Sequence, residues 1–574
     1  MKKVFGFYLR PYYWRMLGGF LIKFTGTIMD LLIPWVLAYI IDYVVPTGEL
    51  GMVFLWGGAM VAFSLCAWLA NIFANRFAAK VAELTTRQIR RDLFVKVTNL
   101  SRGQVDEFTE SSLVSRLTSD TYNVHNAIGM IQRLGVRAPI LLVGGIMVTM
   151  TLDVKLALVL VAMLPFLSVI VYSVSAKGIP LYTKQQEAVD RLICKLRENI
   201  TGVRVIRALS QTSSEKDRFD EINKEVVKRE TRASVIMGIT NPAMNFILNM
   251  GWVMVIVIGA SRVNDGVMES GKIVAFLTYF TIILNAMMMV TRMFIRFSRA
   301  SASAGRIMKV IDTCTDWSMV EDTMAEDEKG KENTSFLSFQ KVSFSYNEGK
   351  PILKDISFDL KKGESIGIIG ATGSGKTTIV NLLMRFYEPD KGNIYIEGKN
   401  IKSMTSSELR TRFGVVFQND TMFEDTVYEN ISLYRTLDKE VVWQSAKDAQ
   451  IAPHIQQMNG ELEAGVAIKG ANLSGGQKQR MLIARALAGN PEILVLDDAS
   501  SALDYKTDAK IRATIHERYA NTTTIIIAQR ISSVMKCDKV MLIDNGAIVG
   551  YGTHEELLAQ CEEYSEISKI QLEA

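Results

Sequence analysis

The chain has 574 residues, of which 48% are hydrophobic, and its 65 basic and 60 acidic residues leave a formal charge of +5 at pH 7. This length is too great for one hydrophobic core and predicts about two to four domains. So small a charge excess does not indicate a nucleic-acid partner. The 5 cysteines and 4 histidines lack the spacing of a metal site, which favours free thiols in a reducing compartment.

Six apolar segments in the first half are long enough to span a bilayer, which takes about 20 mostly apolar residues in a helix. They cover residues 16–41, 53–75, 135–151, 155–176, 234–260 and 273–296. The long connections 76–134 and 177–233 are rich in Lys and Arg, whereas the connection 42–52 has neither. Because basic connections stay in the cytoplasm, both chain ends and the second half of the chain are expected there. The helices should continue beyond the membrane within the two long connections.

Polar and flexible side chains within these segments are candidates for a substrate pathway, because polar groups inside a membrane usually face a cavity or a partner. The candidates are Asp30, Arg137, Asn245, Asn249, Asn285 and Met289. A second explanation is that Asp30 and Arg137 form an internal ion pair and that the methionine packs between helices. The sequence leaves both explanations open, and Asp30 gives a weak indication of a cationic group on the substrate.

An acidic segment, 312–335, separates the membrane half from a soluble half with α/β character. In that half, strands are predicted at 336–346, 352–360 and 365–369. The last of them runs into the glycine-rich loop 370–377, and a helix is predicted after the loop. A strand, a glycine-rich loop that ends in Lys-Thr and a helix together form a P-loop, whose backbone N–H groups surround phosphates.

This loop and a later strand supply the residues expected to bind ATP and Mg²⁺. The loop residues are Gly370, Thr372, Gly373, Ser374, Gly375, Lys376, Thr377 and Thr378. Lys376 would neutralise the β- and γ-phosphates, and Thr377 would offer its hydroxyl to the metal. The apolar strand 493–496 is followed by Asp497, a carboxylate that would hold Mg²⁺ directly or through its second coordination shell.

Further motifs resemble those of ATP-binding cassette (ABC) transporters of the exporter type, and the resemblance covers essentially the whole chain. The matching residues are the signature Leu473, Ser474, Gly475, Gly476 and Gln477 and the D-loop Ser501, Ala502, Leu503 and Asp504. The resemblance places Gln418 at the Q-loop near Mg²⁺ and Tyr346 at the aromatic residue that stacks on adenine. It also places two coupling helices near 111–120 and 200–208.

The fold that this resemblance implies is a membrane α-helical domain, 1–311, fused through the linker 312–335 to an α/β P-loop ATPase domain, 336–574. The membrane domain would have six transmembrane helices with long cytoplasmic extensions. In this family two ATPase domains enclose two ATP molecules head to tail. The signature of each domain then caps the ATP on the other, so a dimer is implied.

The sequence departs from the family's pattern at three positions. Asp498 stands where the family has the glutamate that positions the attacking water, and its carboxylate is one methylene shorter. Gln529 replaces a histidine that contacts the γ-phosphate. Ile468 replaces a glutamate that contacts the partner's coupling helix. Two losses at one nucleotide site, with the loop and the signature intact, favour a degenerate site in an asymmetric pair.

We therefore expect an ATP-binding subunit of a heterodimeric exporter that moves amphipathic drugs, lipids or peptides across the plasma (inner) membrane. The partner would be a second half-transporter with an intact Walker B glutamate and switch histidine, whose site this chain's signature completes. This chain's own site would be weakly hydrolytic. The alternatives are a homodimeric exporter that uses Asp498 as a slow base, an importer with the same fold, and an ATP-gated regulatory subunit.

Overall fold

The computed structural model describes residues 2–314, 335–346, 349–418 and 421–572, and the chain divides into two compact units. The helical unit consists of Met1–Thr98 and Glu110–Thr313. The sheet unit consists of Asn99–Thr109 and Cys314–Ala574. Most of the acidic linker predicted at 312–335 lies outside the described residues.

The first part of the chain is almost entirely helical. Its helices are α1 (Lys2–Phe7), α2 (Tyr13–Tyr39), α3 (Leu50–Thr98), α4 (Arg102–Phe108), α5 (Glu110–Ser115), α6 (Thr121–Leu152), α7 (Val154–Thr201), α8 (Val203–Ala208), α9 (Thr212–Gly238), α10 (Thr240–Asn264) and α11 (Ser270–Ile311). All of them belong to the helical unit except α4, which belongs to the sheet unit.

Within the described residues, six helical stretches are long and apolar enough to cross a membrane, which confirms the predicted number. Their bounds differ from the prediction because hydropathy identifies only the part of a helix that is apolar. The helices α3 and α7 have 49 and 48 residues. At 1.5 Å per residue each is about 70 Å long, more than twice the hydrocarbon thickness of a bilayer. The predicted extension beyond the membrane is therefore confirmed.

Small residues allow the helices of this unit to approach each other closely. A Cβ atom added to Gly26 of α2 would lie 2.7 Å from the Cβ of Ala70 on α3. A Cβ atom added to Gly145 of α6 would lie 2.9 Å from Cγ1 of Ile283 on α11. Because lipid provides no hydrophobic driving force between helices, such close backbone packing is a main source of their association.

The segment predicted for the first coupling helix lies next to a short helix that belongs to the other unit of the chain. The predicted segment 111–120 belongs to the helical unit, whereas the preceding helix α4 belongs to the sheet unit. A capping box between Ser101 and Gln104 starts α4. The hydroxyl of Tyr387 then donates a hydrogen bond of 2.7 Å to Oδ2 of Asp106. This contact joins residues 281 positions apart, so a local sequence pattern does not reveal it. The second predicted segment, 200–208, contains the short helix α8.

The sheet unit contains twelve strands in its described part. They are β1 (Leu337–Phe344), β2 (Leu353–Leu360), β3 (Ser365–Ile369), β4 (Lys391–Ile396), β5 (Lys399–Asn400), β6 (Phe413–Val416), β7 (Asp425–Thr426), β8 (Gly465–Val466), β9 (Ile493–Asp497), β10 (Thr523–Ile527), β11 (Lys539–Asp544) and β12 (Ala547–Gly552). They form a six-stranded sheet in the order β12-β11-β3-β10-β9-β6, a four-stranded antiparallel sheet in the order β2-β1-β4-β5, and the pair β7-β8.

The described part of the sheet unit contains nine helices besides α4. They are α12 (Lys376–Leu383), α13 (Ser406–Thr411), α14 (Val427–Ser432), α15 (Lys439–Asp448), α16 (Ala452–Ile455), α17 (Gly475–Leu487), α18 (Tyr505–Arg518), α19 (His554–Gln560) and α20 (Glu562–Leu572). The central strands β3, β9 and β10 are almost wholly buried, and each contains adjacent Ile, Leu or Val residues. That composition is typical of parallel strands with both faces covered.

The topology of the six-stranded sheet determines where the predicted site residues meet. Its strands β6, β9, β10, β3 and β11 are parallel, and only β12 runs the other way. In register, Ile527 at the end of β10 lies opposite Asp497 on one side and Ile368 on the other. Side chains that follow these strands therefore meet at the carboxyl edge of the sheet, where ligands bind in such folds.

Candidate nucleotide site

The carboxyl ends of β3, β6, β9 and β10 open onto one cavity of about 230 Å³. The predicted residues that line it are Thr372, Gly373, Gly375, Lys376, Thr377, Thr378, Gln418, Asp497, Asp498 and Gln529. The structure thus brings into one cavity the phosphate-binding loop, Gln418, the expected Mg²⁺ ligand Asp497, and the two residues that depart from the family's pattern, Asp498 and Gln529.

The glycine-rich loop needs glycine for conformational reasons. Gly373 and Gly375 have φ angles of +85° and +105°, in the left-handed region that other residues avoid. A Cβ atom on Gly375 would also lie 2.6 Å from Cδ2 of Leu353. Gly375 is the N-cap of α12, so the first N–H groups of that helix face the loop. A helix N-terminus of this kind is suited to phosphate binding.

Lys376 lies over the loop and carries the cationic charge of the site. Its Nζ donates hydrogen bonds of 2.8 and 2.7 Å to the carbonyl oxygens of Gly370 and Ala371. Burial lowers the pKa of Lys376, while the nearby carboxylates Asp497 and Asp498 raise it. The ammonium therefore lies between the loop and two acidic groups, where it can neutralise a phosphate that enters the cavity.

Asp497 and Ser374 provide the clearest test of whether Mg²⁺ and phosphate fit. The Asp497 side chain is only 2% exposed and interacts with the hydroxyl of Thr377. Burial raises the pKa of Asp497. Among the described residues, its Oδ2 and the buried Oγ of Ser374 have no hydrogen-bond partner. Because buried polar atoms are normally satisfied, these two oxygens fit a metal ion and a phosphate group.

Asp498 is half-buried and has a left-handed backbone, with φ of 52°. Its N–H donates a hydrogen bond of 2.9 Å to the carbonyl of Ile527, which fixes it at the strand end. Burial raises the pKa of Asp498, and the cations Lys376 and Arg530 lower it. Gln529 is exposed and lines the same cavity. The two departures from the family pattern are therefore neighbours of the phosphate-binding loop.

Tyr346 is placed by contacts with α12. Its hydroxyl donates a hydrogen bond of 3.4 Å to Oγ1 of Thr378 and accepts one of 3.3 Å from Nδ2 of Asn381. The ring of Tyr387 meets its ring edge-on, with centroids 5.0 Å apart. The tyrosine ring is thus fixed beside the P-loop helix, as a ring that stacks on a base would need to be.

The signature residues occupy the start of α17. The Ser474 hydroxyl accepts a hydrogen bond from the N–H of Gln477, and the Gln477 side chain accepts one from the N–H of Ser474, which forms a capping box. Ser474 and Gly475 are exposed, and Leu473, Gly476 and Gln477 are half-buried. In the part of the chain that the structure describes, no signature residue lines the P-loop cavity.

The D-loop residues are attached to the signature helix by a residue that the sequence analysis did not identify. Nε2 of Gln479 donates a hydrogen bond of 2.9 Å to Oγ of Ser501, and its Oε1 accepts one of 2.8 Å from the N–H of Ala502. Leu503 is half-buried, and Asp504 caps α18 through the N–H of Thr507. Gln479 belongs to none of the motifs, so only the fold reveals its role in joining the two segments.

The candidate substrate-pathway residues divide into two groups. Asp30 and Arg137 form an ion pair in which Nη2 and Oδ2 are 3.0 Å apart. The ion-pair explanation is thus the observed one, and Asp30 gives no indication of a cationic substrate. Asn245 and Asn249 lie one turn apart and exposed on α10. On α11, Asn285 is exposed and Met289 is half-buried.

Comparisons with known proteins agree with this architecture. Residues 16–287 match the family described as ABC transporter transmembrane region, and residues 353–501 match the family described as ABC transporter. The chain is 34% identical to the uncharacterized ABC transporter ATP-binding protein YfiB of Bacillus subtilis, over 100% of this chain and 98% of that protein. It is 30% identical to the fatty acid ABC transporter ATP-binding/permease protein of Mycobacterium bovis, over 89% of this chain and 80% of that protein. The solved structure of a bacterial Atm1-family ABC exporter with ATP bound shares the fold, with a TM-score of 0.81, 23% identity and 98% coverage of both chains.

Proposed function

Since this chain belongs to the ABC transporter family and fuses a membrane region to an ATPase domain in the exporter fold, we propose that it is one subunit of a heterodimeric exporter. It is a multi-pass membrane protein. The proposed pair moves amphipathic compounds across the plasma membrane, with the ATPase domains of both subunits in the cytoplasm. The basic connections between the predicted spans support that orientation.

One observation carries the heterodimer proposal. Asp498 and Gln529 line the cavity that contains an intact phosphate-binding loop, whereas the signature retains every expected residue. The shortened carboxylate reaches less far toward an attacking water, and a glutamine cannot take up the proton or charge that an imidazole can. The site keeps the groups that bind ATP and alters the two that assist its hydrolysis.

The roles follow from this arrangement. Lys376 and the loop N–H groups would bind the phosphates, and Thr377, Gln418 and Asp497 would hold Mg²⁺. The metal would neutralise phosphate charge. ATP at this site would hold the two ATPase domains together for long periods. The signature helix, with its exposed Ser474, would cap ATP on the partner, where the partner's glutamate and histidine would support hydrolysis.

The substrate class is the least constrained part of the proposal. The Mycobacterium bovis relative is named as a fatty acid transporter. Together with the exporter fold, that name supports an amphipathic substrate that enters from the lipid phase.

ATPase activity of the purified chain, alone and then with the ABC chain encoded beside it, tests the proposal. We expect activity only in the mixture. We expect it to be lost when the partner's catalytic glutamate becomes glutamine and almost unchanged by Asp498→Asn in this chain.

A homodimeric exporter is the second candidate, because Asp498 keeps a carboxylate in the cavity. It predicts that the chain alone hydrolyses ATP and that Asp498→Asn stops this activity. That result would replace the heterodimer with the homodimer.

A further inference from the structure

The helix α20 packs against the segment that carries Gln529. Its residues Tyr564, Ser568 and Gln571 are spaced by four and three positions, so they lie on one face of the helix. Tyr564 and Ser568 are buried, and Tyr564 belongs to the same small hydrophobic cluster as Ile531. This packing brings Gln571, in the last turn of α20, beside the residues that follow β10.

The Gln571 carboxamide binds the backbone of that segment at two points. Its Nε2 donates a hydrogen bond of 3.1 Å to the carbonyl oxygen of Gln529, and its Oε1 accepts one of 2.8 Å from the N–H of Ile531. Arg530 between them has an extended backbone, with φ of −104° and ψ of 129°. A carboxamide carries a donor and an acceptor side by side, so this side chain binds the segment as a neighbouring strand would.

These two backbone groups lie where the sheet ends. The last hydrogen bond from this segment to β3 joins the N–H of Ala528 to the carbonyl oxygen of Ile368, at 3.2 Å. A one-turn helix then begins at Ile531, and the first N–H groups of a helix have no partner within it. The hydrogen bonds from Gln571 therefore fix the short stretch between the sheet and that helix.

Gln529 is the residue of this stretch whose position matters for the nucleotide. It lines the same cavity as Lys376 and Thr377. Within the described part of the chain, no hydrogen bond engages its carboxamide, so its N–H groups are available to a ligand. A hydrogen bond from such a group to a charged phosphate oxygen is stronger than one between neutral groups. Since the P-loop surrounds the inner phosphates, a group at the rim of the cavity is placed for the terminal phosphate, which ADP lacks.

We propose that Gln571 positions Gln529 for contact with the terminal phosphate, so that the last turn of α20 determines how strongly this site prefers ATP to ADP. Gln571 is a positioning residue, because it binds the backbone of the segment and does not line the cavity. This role rests on the proposed binding of ATP at this chain's P-loop. It does not depend on whether the partner is a second copy or a different chain.

A purely structural role for Gln571 makes a different prediction. If its two hydrogen bonds only fasten α20 to the sheet, their loss lowers stability, or lowers the affinities for ATP and ADP alike. If they position Gln529, their loss lowers the affinity for ATP more than that for ADP. The ratio of the two dissociation constants therefore distinguishes positioning from fastening.

Displacement of the fluorescent nucleotide TNP-ATP by ATP and by ADP, with Mg²⁺ and in the cold to limit hydrolysis, measures this ratio. The full-length chain is used in the assembly in which it purifies, in phosphatidylcholine nanodiscs. Where a different partner chain is present, its P-loop lysine is changed to alanine, so that the displacement reports this chain's site. Thermal unfolding midpoints of all variants are measured in parallel.

The variants separate the two hydrogen bonds from helix packing. Gln571→Met removes both bonds and keeps an unbranched side chain. Gln571→Glu keeps an acceptor for the N–H of Ile531 and loses the donor to Gln529. Tyr564→Phe is the matched control on the same helix, because it removes a hydroxyl 2.8 Å from Nδ1 of His554 and leaves the backbone contacts of Gln571 in place.

We expect Gln529→Ala to reduce the preference for ATP by about tenfold, as for the loss of one hydrogen bond to a charged group. Both Gln571 variants should reduce it by at least about threefold. Tyr564→Phe should leave the ratio unchanged. The double variant Gln529→Ala/Gln571→Met should reduce it no further than Gln529→Ala, because one residue acts through the other.

Three results would overturn the positioning role. The first is an unchanged ratio in both Gln571 variants or in Gln529→Ala. The second is an equal loss of preference in Tyr564→Phe, which would assign the effect to helix packing. The third is a further loss in the double variant, which would mean that Gln571 acts on another group. The proposed function fails separately: hydrolysis by this chain alone that Asp498→Asn stops would refute the heterodimer and leave the positioning role intact. Activity only in the mixture, with an unchanged ratio, would do the reverse.

Discussion

Asp498→Glu is the change that tests most directly why this nucleotide site is expected to hydrolyse slowly. The substitution adds one methylene between the backbone and the carboxylate. The backbone there has φ of 52°, and its N–H is tied to Ile527, so the main chain is fixed at the end of β9. The carboxylate would then move toward the cavity by about one C–C bond, or 1.5 Å.

The expected effect is large because hydrolysis depends on the position of the attacking water. A displacement of about 1 Å in a reacting group can cost about 10²-fold in rate, or about 2.7 kcal/mol in the activation free energy. Asp498→Glu should recover up to that factor. A left-handed backbone disfavours glutamate more than aspartate, by up to about 1–2 kcal/mol of folding free energy, which a chain of this size should tolerate.

The assay uses the assembled pair with the partner's catalytic glutamate changed to glutamine, so that remaining hydrolysis comes from this chain's P-loop site. Phosphate release is compared in wild type, Asp498→Glu, Asp498→Asn and the double variant Asp498→Glu/Gln529→His. We expect a low rate in wild type, an equally low rate in Asp498→Asn and a rise in Asp498→Glu. The histidine should raise the rate further, because an imidazole can carry the charge that glutamine cannot.

Two outcomes would refute this reasoning. If Asp498→Asn removes substantial wild-type hydrolysis at this site, the short carboxylate already works as the base. If neither Asp498→Glu nor the double variant raises the rate, the length of this side chain does not limit hydrolysis. Slow hydrolysis at this site, if measured, would then need another cause, such as an altered signature on the partner.

Three further changes test the site and its connection to the rest of the sheet unit. In the absence of nucleotide, Asp497→Asn should raise the midpoint of thermal unfolding, and the rise should be larger at about pH 8 than at about pH 5. The reason is that burial raises the pKa of Asp497, so its charged form costs stability as the pH rises. A lower midpoint at about pH 8 would contradict this. The same variant should lose most of the stabilisation by Mg²⁺-ATP. Gly375→Ala should destabilise the protein and abolish ATP binding, whereas Gly373→Ala should destabilise it less. Both glycines have positive φ, but only a side chain at Gly375 would also clash with a neighbour. Equal unfolding midpoints of the two variants would argue against the clash. Tyr387→Phe removes the 2.7 Å hydrogen bond to Asp106 of α4 and should reduce substrate-stimulated ATPase activity by up to about tenfold while ATP binding stays unchanged. Full stimulation in that variant would show that the bond has no part in coupling.

Sequence patterns predicted the parts of this structure that depend on local chemistry. The strand β3, the glycine-rich loop and α12 follow one another within about 20 residues, and each has a strong local signal. The six apolar helices were predicted in number because lipid imposes a minimum apolar length. Their true ends could not be predicted from hydropathy. Helix α3 continues to Thr98, and outside the membrane a helix can contain polar residues, so the loss of apolar character does not mark its end.

Contacts between distant residues were the part that sequence reasoning missed. The helix α4 joins the sheet unit through Tyr387, a contact that the local pattern beside the predicted coupling segment 111–120 does not indicate. Gln479 joins the signature helix to the D-loop without belonging to either motif. Asp30 and Arg137 are apparent as charged residues in apolar segments, but their ion pair depends on how α2 and α6 pack.

The geometry of the site explains how binding and hydrolysis can be separated within one fold. The phosphate-binding groups belong to β3, its loop and α12, which the core of the sheet unit fixes in place, and Asp497 is buried at the end of β9. Asp498 and Gln529 follow directly after β9 and β10 at the rim of the cavity, where Gln529 is exposed and Asp498 is half-buried. Under the proposed function, substitutions at the rim would leave the packed core unchanged and would alter the rate of hydrolysis with little loss of ATP affinity. A chain that changed at these two rim positions alone would keep ATP bound and leave hydrolysis to its partner.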